Sequence, residues 1–405
     1  MILQGKNIVL GVTGGIAAYK AVDLCSKLVQ AGAHVDVIMT EAALAFVTPL
    51  PFQTITQRPV STDMFRLLDS TDMAHISLAK KADLVVIAPA TANTISKLAT
   101  GLADNLLTTT VLATTAPLVL APAMDADMWA HAATLANVRT LEARGAVIIP
   151  PEEGRLASGR IGRGRLPATE TILAAIRQTL GGRGPLAGMR VLITAGGTQE
   201  PLDPVRHLTN RSSGRMGYAL AEAARDLGAT VTLISAPTAL GRVYGVRQVA
   251  VRTAEEMAVA VLGERENTDV LVMAAAVADY RPVSAAPEKI KKSEAGLTLS
   301  LERTRDILAS VVDLRADGWP RIVVGFAAET QDLIANASQK LSHKRLDLLV
   351  ANDVSATDAG FEVEDNRVVL LASDAAPVTL PLMSKFEVAE RIWERVHGMW
   401  SERYG

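Results

Sequence analysis

Glycine-rich turns stand at corresponding places in the two halves of this 405-residue chain. Residues 7–40 are typical of a strand, a glycine turn, a helix and a second strand, and residues 189–234 repeat that plan with an insertion between turn and helix. Such a turn exposes backbone N–H groups at the positive end of the helix, where phosphate binds. The sequence therefore predicts two nucleotide-type sites.

The first turn, GVTGGIAAYK, differs from the turn of a dinucleotide fold. It lacks the G-x-G-x-x-G spacing, and the next strand ends at Met39 and Thr40, where such folds place an acid that binds ribose. These differences favour a mononucleotide such as FMN over NAD. A purely structural turn remains the alternative.

Other polar residues of the first half stand where they could reach a ligand. Thr91 and Asn93 follow a predicted strand, at the edge where parallel sheets bind ligands, although they could also simply cap the next helix. Asp125 follows another strand and has the same two interpretations. His75 lies between apolar neighbours ahead of a helix and is either a catalytic base or a structural histidine.

Together these segments resemble the flavin-dependent cysteine decarboxylase family. The shared motifs are the TGGIAAYK turn, the histidine of HI-x-L, the APATANTI-x-K-x-A-x-G-x-ADNLL block and PAMN-x-x-MW, in which Asp125 replaces the usual Asn. The resemblance implies that His75 is the catalytic base and that Met124, Asp125 and Met128 bind substrate. It also implies an FMN site formed by Gly14, Gly15, Ile16, Ala17, Thr40, Pro89, Ala90, Thr91 and Asn93.

Two departures from that family raise questions of charge and acidity. A charged Asp125 would repel a substrate carboxylate unless it is protonated or paired, and the glycine- and arginine-rich segment 151–167 offers one possible partner. We expect this segment to be a mobile flap without regular structure. Within it, Ser158 stands where the family commonly has the proton-donating Cys, and a hydroxyl is a far weaker acid than a thiol. Ser158 therefore relays a proton from water, or another flap group does so, or the half-reaction stops at the oxidised enethiol.

The second half has the composition of a site for a phosphate-bearing acid. The stretch ITAGGTQEPLDPVRHLTNRSSGRMG supplies glycines, hydroxyls, arginines and Asn210, while AAAVADYRP and EKIKK place Asp279 and Lys289 near one strand end. A lysine run by itself is more often a solvated face. These blocks, with VGFAAET and K-x₃-K-x-x-D-x-x-VAND, resemble phosphopantothenate–cysteine ligases.

The ligase resemblance implies a role for each matching residue. Lys289 would contact a triphosphate and stabilise charge as an acyl-cytidylate forms, with Mg²⁺ neutralising the phosphates, and Arg206 and Asn210 would hold the acyl intermediate. The CTP pocket would comprise Ala275, Asp279, Lys289, Asp306, Ile307, Leu308, Phe326, Lys340 and Lys344.

The resemblance extends over nearly the whole chain, because the fused decarboxylase–ligases of coenzyme A synthesis have both halves in this order. It implies that CTP activates 4′-phosphopantothenate for amide formation with cysteine, and that the product is then decarboxylated with FMN as electron sink. It also implies trimers through the first domain and dimers through the second. One alternative is a ligase whose first half is non-catalytic or purely oxidative. Another is a nicotinamide-dependent reductase, but this sequence lacks the Tyr-x₃-Lys pair that such an enzyme would need.

Composition and patterning indicate the class of protein. Net charge is −2, which argues against a nucleic-acid binder, and the lone Cys25 and strand-length apolar runs fit a cytoplasmic protein without a membrane span. Apolar strands alternate with helices, so we expect two doubly wound α/β domains, flavodoxin-like at 1–180 and Rossmann-like at 189–405, joined by the linker 181–188. Single helices are expected over 93–111 and 125–144, and a hairpin around 361–372.

Overall fold

A computed structural model describes residues 2–65, 73–291, 297–315, 318–329, 333–353, 365–373 and 375–404. The chain divides into two compact units, Met1–Gly181 and Gly182–Gly405.

The first unit contains a five-stranded parallel sheet of order β2-β1-β3-β4-β5. This is the flavodoxin-like doubly wound order, as predicted. The central strand β3 is buried along its whole length because helices cover both faces. The strands are β1 (Asn7–Val12), β2 (His34–Met39), β3 (Leu84–Ala90), β4 (Leu118–Pro122) and β5 (Val147–Ile148).

Two helices that the sequence predicts as continuous are interrupted. Asn105 starts a new helix with a reciprocal capping box to Thr108, which splits segment 93–111. The extended backbone of His131 likewise splits segment 125–144. The helices of this unit are α1 (Lys20–Gln30), α2 (Glu41–Leu44), α3 (Leu50–Thr56), α4 (Ala74–Lys81), α5 (Ala92–Thr100), α6 (Leu106–Ala113), α7 (Ala126–Ala130), α8 (Ala132–Ala143) and α9 (Thr169–Gly181), with a 3₁₀ turn (Ile16–Tyr19) before α1.

The segment predicted to lack regular structure is an antiparallel hairpin of β6 (Glu152–Arg155) and β7 (Ile161–Arg165). The prediction was wrong because it took the glycines as a sign of mobility, whereas they allow close packing. A Cβ at Gly164 would lie 2.2 Å from the carbonyl oxygen of Met124, and the Gly164 carbonyl accepts the Met124 N–H at 3.0 Å. The hairpin therefore lies directly against the segment that contains Asp125.

The second unit contains an eight-stranded sheet of order β12-β11-β8-β13-β16-β17-β19-β20. Its first six strands are parallel and follow the Rossmann order, as predicted, and an antiparallel pair extends the edge. The strands are β8 (Arg190–Ala195), β11 (Thr230–Ser235), β12 (Arg247–Ala250), β13 (Val270–Met273), β16 (Ile322–Glu329), β17 (Leu348–Asp353), β19 (Val368–Ala372) and β20 (Ala375–Thr379).

The antiparallel pair corrects the hairpin predicted around 361–372. Residues 361–364 lie outside the described residues. The structure shows a hairpin of β19 and β20, and β19 also pairs with β17, so this hairpin continues the sheet. Three further two-stranded pairs are β9 (Gln199–Pro201) with β10 (His207–Thr209), β14 (Tyr280–Pro282) with β15 (Leu301–Arg303), and β18 (Asp365–Asn366) with β21 (Met383–Ser384).

The helices of the second unit pack on both faces of the sheet. The C-terminal helix inserts the fully buried Trp393, whose Nε1–H donates to the Leu220 carbonyl at 2.9 Å. The helices are α10 (Arg215–Asp226), α11 (Ala254–Gly263), α12 (Ile307–Leu314), α13 (Leu333–His343) and α14 (Lys385–Tyr404). In the part of the chain that the structure describes, every helix is too short or too polar to traverse a bilayer.

Candidate functional sites

A cavity of about 1090 Å³ lies at the carboxyl edge of the first sheet. It is bounded by the glycine turn after β1, the start of α5, the segment after β4 and the β6–β7 hairpin. The predicted site residues that line it are Gly14, Gly15, Ile16, Ala17, Thr40, Thr91, Asn93, Met124, Asp125, Met128 and Ser158. The structure thus brings the predicted cofactor and substrate residues of this half to one cavity, except for Pro89 and Ala90, and the predicted base His75 does not line it either.

The glycine turn needs glycine because of a close approach. A Cβ at Gly14 would lie 2.4 Å from the Cβ of Ala42. The preceding Thr13 joins the two strand ends, since its hydroxyl donates to the Pro89 carbonyl at 2.7 Å and accepts the Thr91 N–H at 3.1 Å. Pro89 and Ala90 are buried, so they support the cavity wall from behind.

Two threonines in the cavity wall differ in how their hydroxyls are satisfied. Thr91 caps α5 by accepting the Thr94 N–H at 3.3 Å, which confirms the capping interpretation, and it also lines the cavity, so ligand binding by Thr91 stays a prediction. The Thr40 hydroxyl is buried and has no hydrogen-bond partner among the described residues. A buried hydroxyl without a partner is unfavourable, so a polar ligand atom in the cavity would satisfy it.

Asp125 is paired with the hairpin. Its Oδ2 accepts the Ser158 hydroxyl at 2.8 Å, its Oδ1 accepts the Asp127 N–H at 3.1 Å, and Arg160 lies 4.0 Å away. The Ser158 hydrogen bond, the Asp127 N–H and the Arg160 charge lower the pKa of Asp125 below its usual range. The carboxylate is therefore ionised and paired, which is one of the two states that the sequence left open. Arg160 also donates to Asp127 at 2.5 Å.

His75 lies apart from these residues. It stands at the start of α4, is half-buried, and its Nδ1 is buried without a hydrogen-bond partner among the described residues. It is not among the residues that line the cavity. A single chain therefore brings the predicted cofactor and substrate residues together but leaves the predicted base outside the cavity.

The second site is built on the segment that follows β13. The Asn210 side chain donates to the Val277 carbonyl at 3.0 Å, and the Ala275 N–H donates to the Thr194 hydroxyl at 3.2 Å. Asp279 is exposed, and its carbonyl accepts the Thr304 N–H at 3.0 Å. The inserted segment 196–214 is thereby joined to the carboxyl end of β13.

The neighbouring strand brings Phe326 to the same edge. Met273 of β13 pairs with Gly325 of β16, and this is the last pair between the two strands. Ala275 and Phe326 follow these residues and therefore lie at the same end of the two strands. Asp306 caps α12 by accepting the Ala309 N–H at 3.0 Å and forms an ion pair with Lys344. Burial raises the pKa of Asp306, but the Lys344 and Ala309 donors outweigh burial, so the pKa lies below its usual value.

The remaining predicted residues of this half lie on three elements. Ile307 is buried and Leu308 half-buried on α12, Lys340 lies in the last turn of α13, and Lys289 is exposed in the loop after β14. Among the described residues, no group of three His, Cys, Asp or Glu side chains could hold a metal ion.

Arg206 is engaged within the protein. Its guanidinium donates to the buried Asp203 carboxylate, at 2.9 Å from Nε, and to the Ile290 carbonyl, at 2.6 Å from Nη2. Asp203 carries no predicted role, although it belongs to the EPLDPVR part of the stretch that resembles the ligases. The proline-flanked acid three residues before Arg206 was the signal that could have identified it.

Both halves of the chain match known protein families. The family model described as Flavoprotein matches residues 2–181, and the model described as DNA/pantothenate metabolism flavoprotein C-terminal domain matches residues 186–399. The coenzyme A biosynthesis bifunctional protein CoaBC of Bacillus subtilis (strain 168) is 47% identical over 398 residues, covering 98% of this chain and 97% of the relative.

Solved structures match each half separately. The C-terminal domain of a coenzyme A biosynthesis bifunctional protein CoaBC is 40% identical and covers 54% of this chain and 99% of its own, with a TM-score of 0.46. A mutant PPC decarboxylase complexed with pantothenoylaminoethenethiol is 33% identical and covers 43% of this chain and 97% of its own, with a TM-score of 0.39. From the two family models and the full-length relative, this chain belongs to the CoaBC family of bifunctional coenzyme A biosynthesis proteins.

Proposed function

We propose that this chain catalyses two consecutive steps of coenzyme A biosynthesis. The first is CTP-dependent ligation of 4′-phosphopantothenate with cysteine, and the second is decarboxylation of 4′-phosphopantothenoylcysteine to 4′-phosphopantetheine with FMN. The observation that carries the proposal is the 47% identity to a bifunctional relative over 98% of this chain. The two phosphate-type turns on two separate units support it.

We assign the decarboxylase to residues 1–180 and the ligase to residues 189–405, with 181–188 as linker. The division of the chain between Gly181 and Gly182 supports this assignment.

In the ligase, a carboxylate oxygen of 4′-phosphopantothenate attacks the α-phosphorus of CTP, and the bond to the leaving pyrophosphate breaks. Lys289 is assigned to the triphosphate, where its charge offsets the negative charge that builds in the transition state. The cysteine amine then attacks the acyl carbon and releases CMP, while Asn210 and Arg206 hold the intermediate. Mg²⁺ enters as part of the MgCTP substrate, because phosphates supply most of the ligands that this ion prefers.

In the decarboxylase, the residues of the cavity fit a flavin mononucleotide. The unsatisfied Thr40 hydroxyl offers one hydrogen bond, and the turn at Gly14 and Gly15 lines the cavity, where its backbone can face a phosphate or ring edge. When bound, FMN supplies a two-electron acceptor that makes loss of CO₂ from the cysteine end possible.

The chain's own groups move the protons of this reaction. His75 is assigned to remove the substrate thiol proton. Its buried Nδ1 has no hydrogen-bond partner among the described residues of this chain and is free to bond to another group. Ser158 is assigned to pass a proton back to the product, held in place by its hydrogen bond to Asp125. If proton return fails, the first half is an oxidative decarboxylase.

We also propose that the chain assembles into trimers through the first unit and dimers through the second. Large apolar side chains are exposed on both units, among them Phe65 and Leu112 on the first and Val205 and Tyr280 on the second. Where such residues form a contiguous apolar patch, the patch is a candidate surface for packing against another chain.

The test is the purified protein's visible spectrum followed by an assay with 4′-phosphopantothenate, cysteine and CTP. We expect a flavin spectrum, CMP and pyrophosphate release, and 4′-phosphopantetheine as product. Accumulation of 4′-phosphopantothenoylcysteine would support the alternative of a ligase with a non-catalytic flavoprotein half. Failure to consume CTP would overturn the ligase assignment.

A further inference from the structure

We propose that Asp203 is a positioning residue that fixes the loop bearing Lys289, so that the charge of Lys289 is placed before the triphosphate arrives. The inference rests on the proposed role of Lys289 and deepens it. Asp203 has no role in the reaction as proposed above.

The Asp203 carboxylate gathers donors from two separate segments. Its Oδ1 accepts the N–H groups of Val205 and Arg206, both at 2.8 Å. Its Oδ2 accepts Nε of Arg206 at 2.9 Å and the N–H of Ile290 at 3.1 Å. One side chain therefore joins the turn between β9 and β10 to the residue next to Lys289.

The same loop is held at two further points. Nη2 of Arg206 donates to the Ile290 carbonyl at 2.6 Å, so both backbone polar groups of Ile290 are bound. The Ala286 N–H donates to the Leu202 carbonyl at 2.9 Å. Lys289 lies between these attachments, and its backbone can move little while its exposed side chain remains available to a substrate.

The charge of Asp203 matters as much as its shape. The side chain has no exposed surface, and burial raises its pKa, but the N–H donors and the Arg206 guanidinium outweigh burial and hold the pKa far below the usual range. An ionised carboxylate can accept all four donors, whereas an amide in its place would turn an NH₂ group towards N–H groups. Asp203→Asn therefore preserves volume and leaves one of the two pairs of donors facing an NH₂ group, which weakens the attachment.

This attachment does not belong to the core. Asp203, Arg206 and Ile290 lie on a small hairpin and a loop beyond the carboxyl edge of the sheet, while the buried apolar clusters of this unit are formed by the sheet and its helices. Its loss is therefore expected to move Lys289 rather than to unfold the unit. A displacement on the order of 1 Å lowers a rate by about 10²-fold.

The experiment uses the full chain and four variants: Asp203→Asn, Lys289→Gln, the double variant and Glu302→Gln. Glu302 forms an exposed ion pair with Arg281 at 2.9 Å on the adjacent β14–β15 hairpin, which makes it a matched control. We expect Asp203→Asn to lower ligase kcat/KM for CTP by about 10²-fold with decarboxylation unchanged. In the Lys289→Gln background the same change should cost at least about tenfold less than in the parent background, because the part of its effect that passes through Lys289 is already lost. Any remaining loss passes through Arg206, which Asp203 also binds. Glu302→Gln should behave as the parent protein.

A second readout is independent of catalysis. Hydrogen exchange of the Ile290 amide should be slow in the parent protein and accelerate by at least about tenfold in Asp203→Asn, with an unchanged midpoint for global unfolding. If Asp203→Asn does not fold, Asp203→Glu, which keeps the charge, is measured in the same way and should retain Ile290 protection and a larger share of ligase activity.

The outcomes separate this inference from the proposed function. Full ligase activity in Lys289→Gln would remove the role of Lys289 and with it this inference. An inactive Lys289→Gln together with an active Asp203→Asn would overturn this inference and leave the proposed function standing. The same holds if the two losses multiply in the double variant, or if the Ile290 amide exchanges freely in the parent protein.

Discussion

The two glycine turns of this chain follow equivalent strands yet form different kinds of site. After β1 the turn leads directly into a 3₁₀ turn and α1, and neighbouring strand ends and the β6–β7 hairpin line a cavity of about 1090 Å³. After β8, residues 196–214 intervene before α10, and the assigned charged residues Arg206, Asp279 and Lys289 are exposed. A concave cavity lined by several segments suits a cofactor that stays bound, whereas an exposed charged edge suits substrates that enter and leave in each turnover.

The largest expected effect tests the cavity of the first unit. His75→Asn should lower decarboxylation by about 10²–10⁴-fold, the usual contribution of a positioned base, because Asn cannot accept the thiol proton. Product formation is measured with 4′-phosphopantothenoylcysteine as substrate.

The flavin spectrum of the same variant is the control. FMN should remain bound, because His75 does not line the cavity. Loss of the yellow colour would indicate a structural histidine, which is the alternative interpretation of this residue.

The next effect tests the charged edge of the second unit. Lys289→Gln should lower ligase turnover by about 10²–10³-fold, because one charge that stabilises the transition state is lost. Decarboxylation by the same protein should be unchanged. CMP release reports the ligase step.

Lys291→Gln is the matched control, since this exposed lysine lies two residues away in the same loop. It should keep nearly full ligase activity. Equal losses in both variants would mean that the loop contributes only a general positive charge, and an active Lys289→Gln would make the lysine run a solvated face.

A smaller effect is expected at the hairpin. Ser158→Ala should slow the proton-return step by roughly tenfold, the low end for loss of a hydrogen bond to a charged group, while the oxidative step keeps its rate. Stopped-flow absorbance at the flavin band follows both steps. In the parent protein the flavin should return to its oxidised form after each cycle, and a bleached flavin with accumulated enethiol would contradict the relay.

The smallest expected effect concerns independence of the two sites. A fragment of residues 185–405 should ligate at a rate within about threefold of the full chain, since the second unit has its own core. A folded fragment that makes no amide product would show that the ligase needs the first unit.

Much of this architecture could be predicted from sequence because parallel strands and their helices carry strong local patterns. Strands such as Val9 to Val12 and Val270 to Met273 are nearly continuous apolar runs, and both sheets have the strand order of the predicted fold class. Short antiparallel pairs were missed because three residues, as in Gln199–Pro201, contain no periodicity. The β6–β7 hairpin was missed because a glycine that permits close packing, such as Gly164, looks the same in sequence as one that permits motion.

The sites show the same limit. Motifs located the residues of the cavity wall, but contacts between distant segments depend on tertiary placement. The Ser158–Asp125 hydrogen bond joins residues 33 positions apart, and the Asp203–Ile290 bond joins residues 87 apart. Sequence offered a flap group as one possible partner for Asp125, and it offered no partner for Asp203.

The most direct test of two independent sites on one chain is to mix the two inactive variants. With 4′-phosphopantothenate, cysteine and CTP, His75→Asn alone should accumulate 4′-phosphopantothenoylcysteine, and Lys289→Gln alone should leave CTP unconsumed. The mixture should produce 4′-phosphopantetheine, because one variant supplies the intermediate that the other decarboxylates. A mixture that forms no 4′-phosphopantetheine, or a His75→Asn variant that makes no intermediate, would contradict the account.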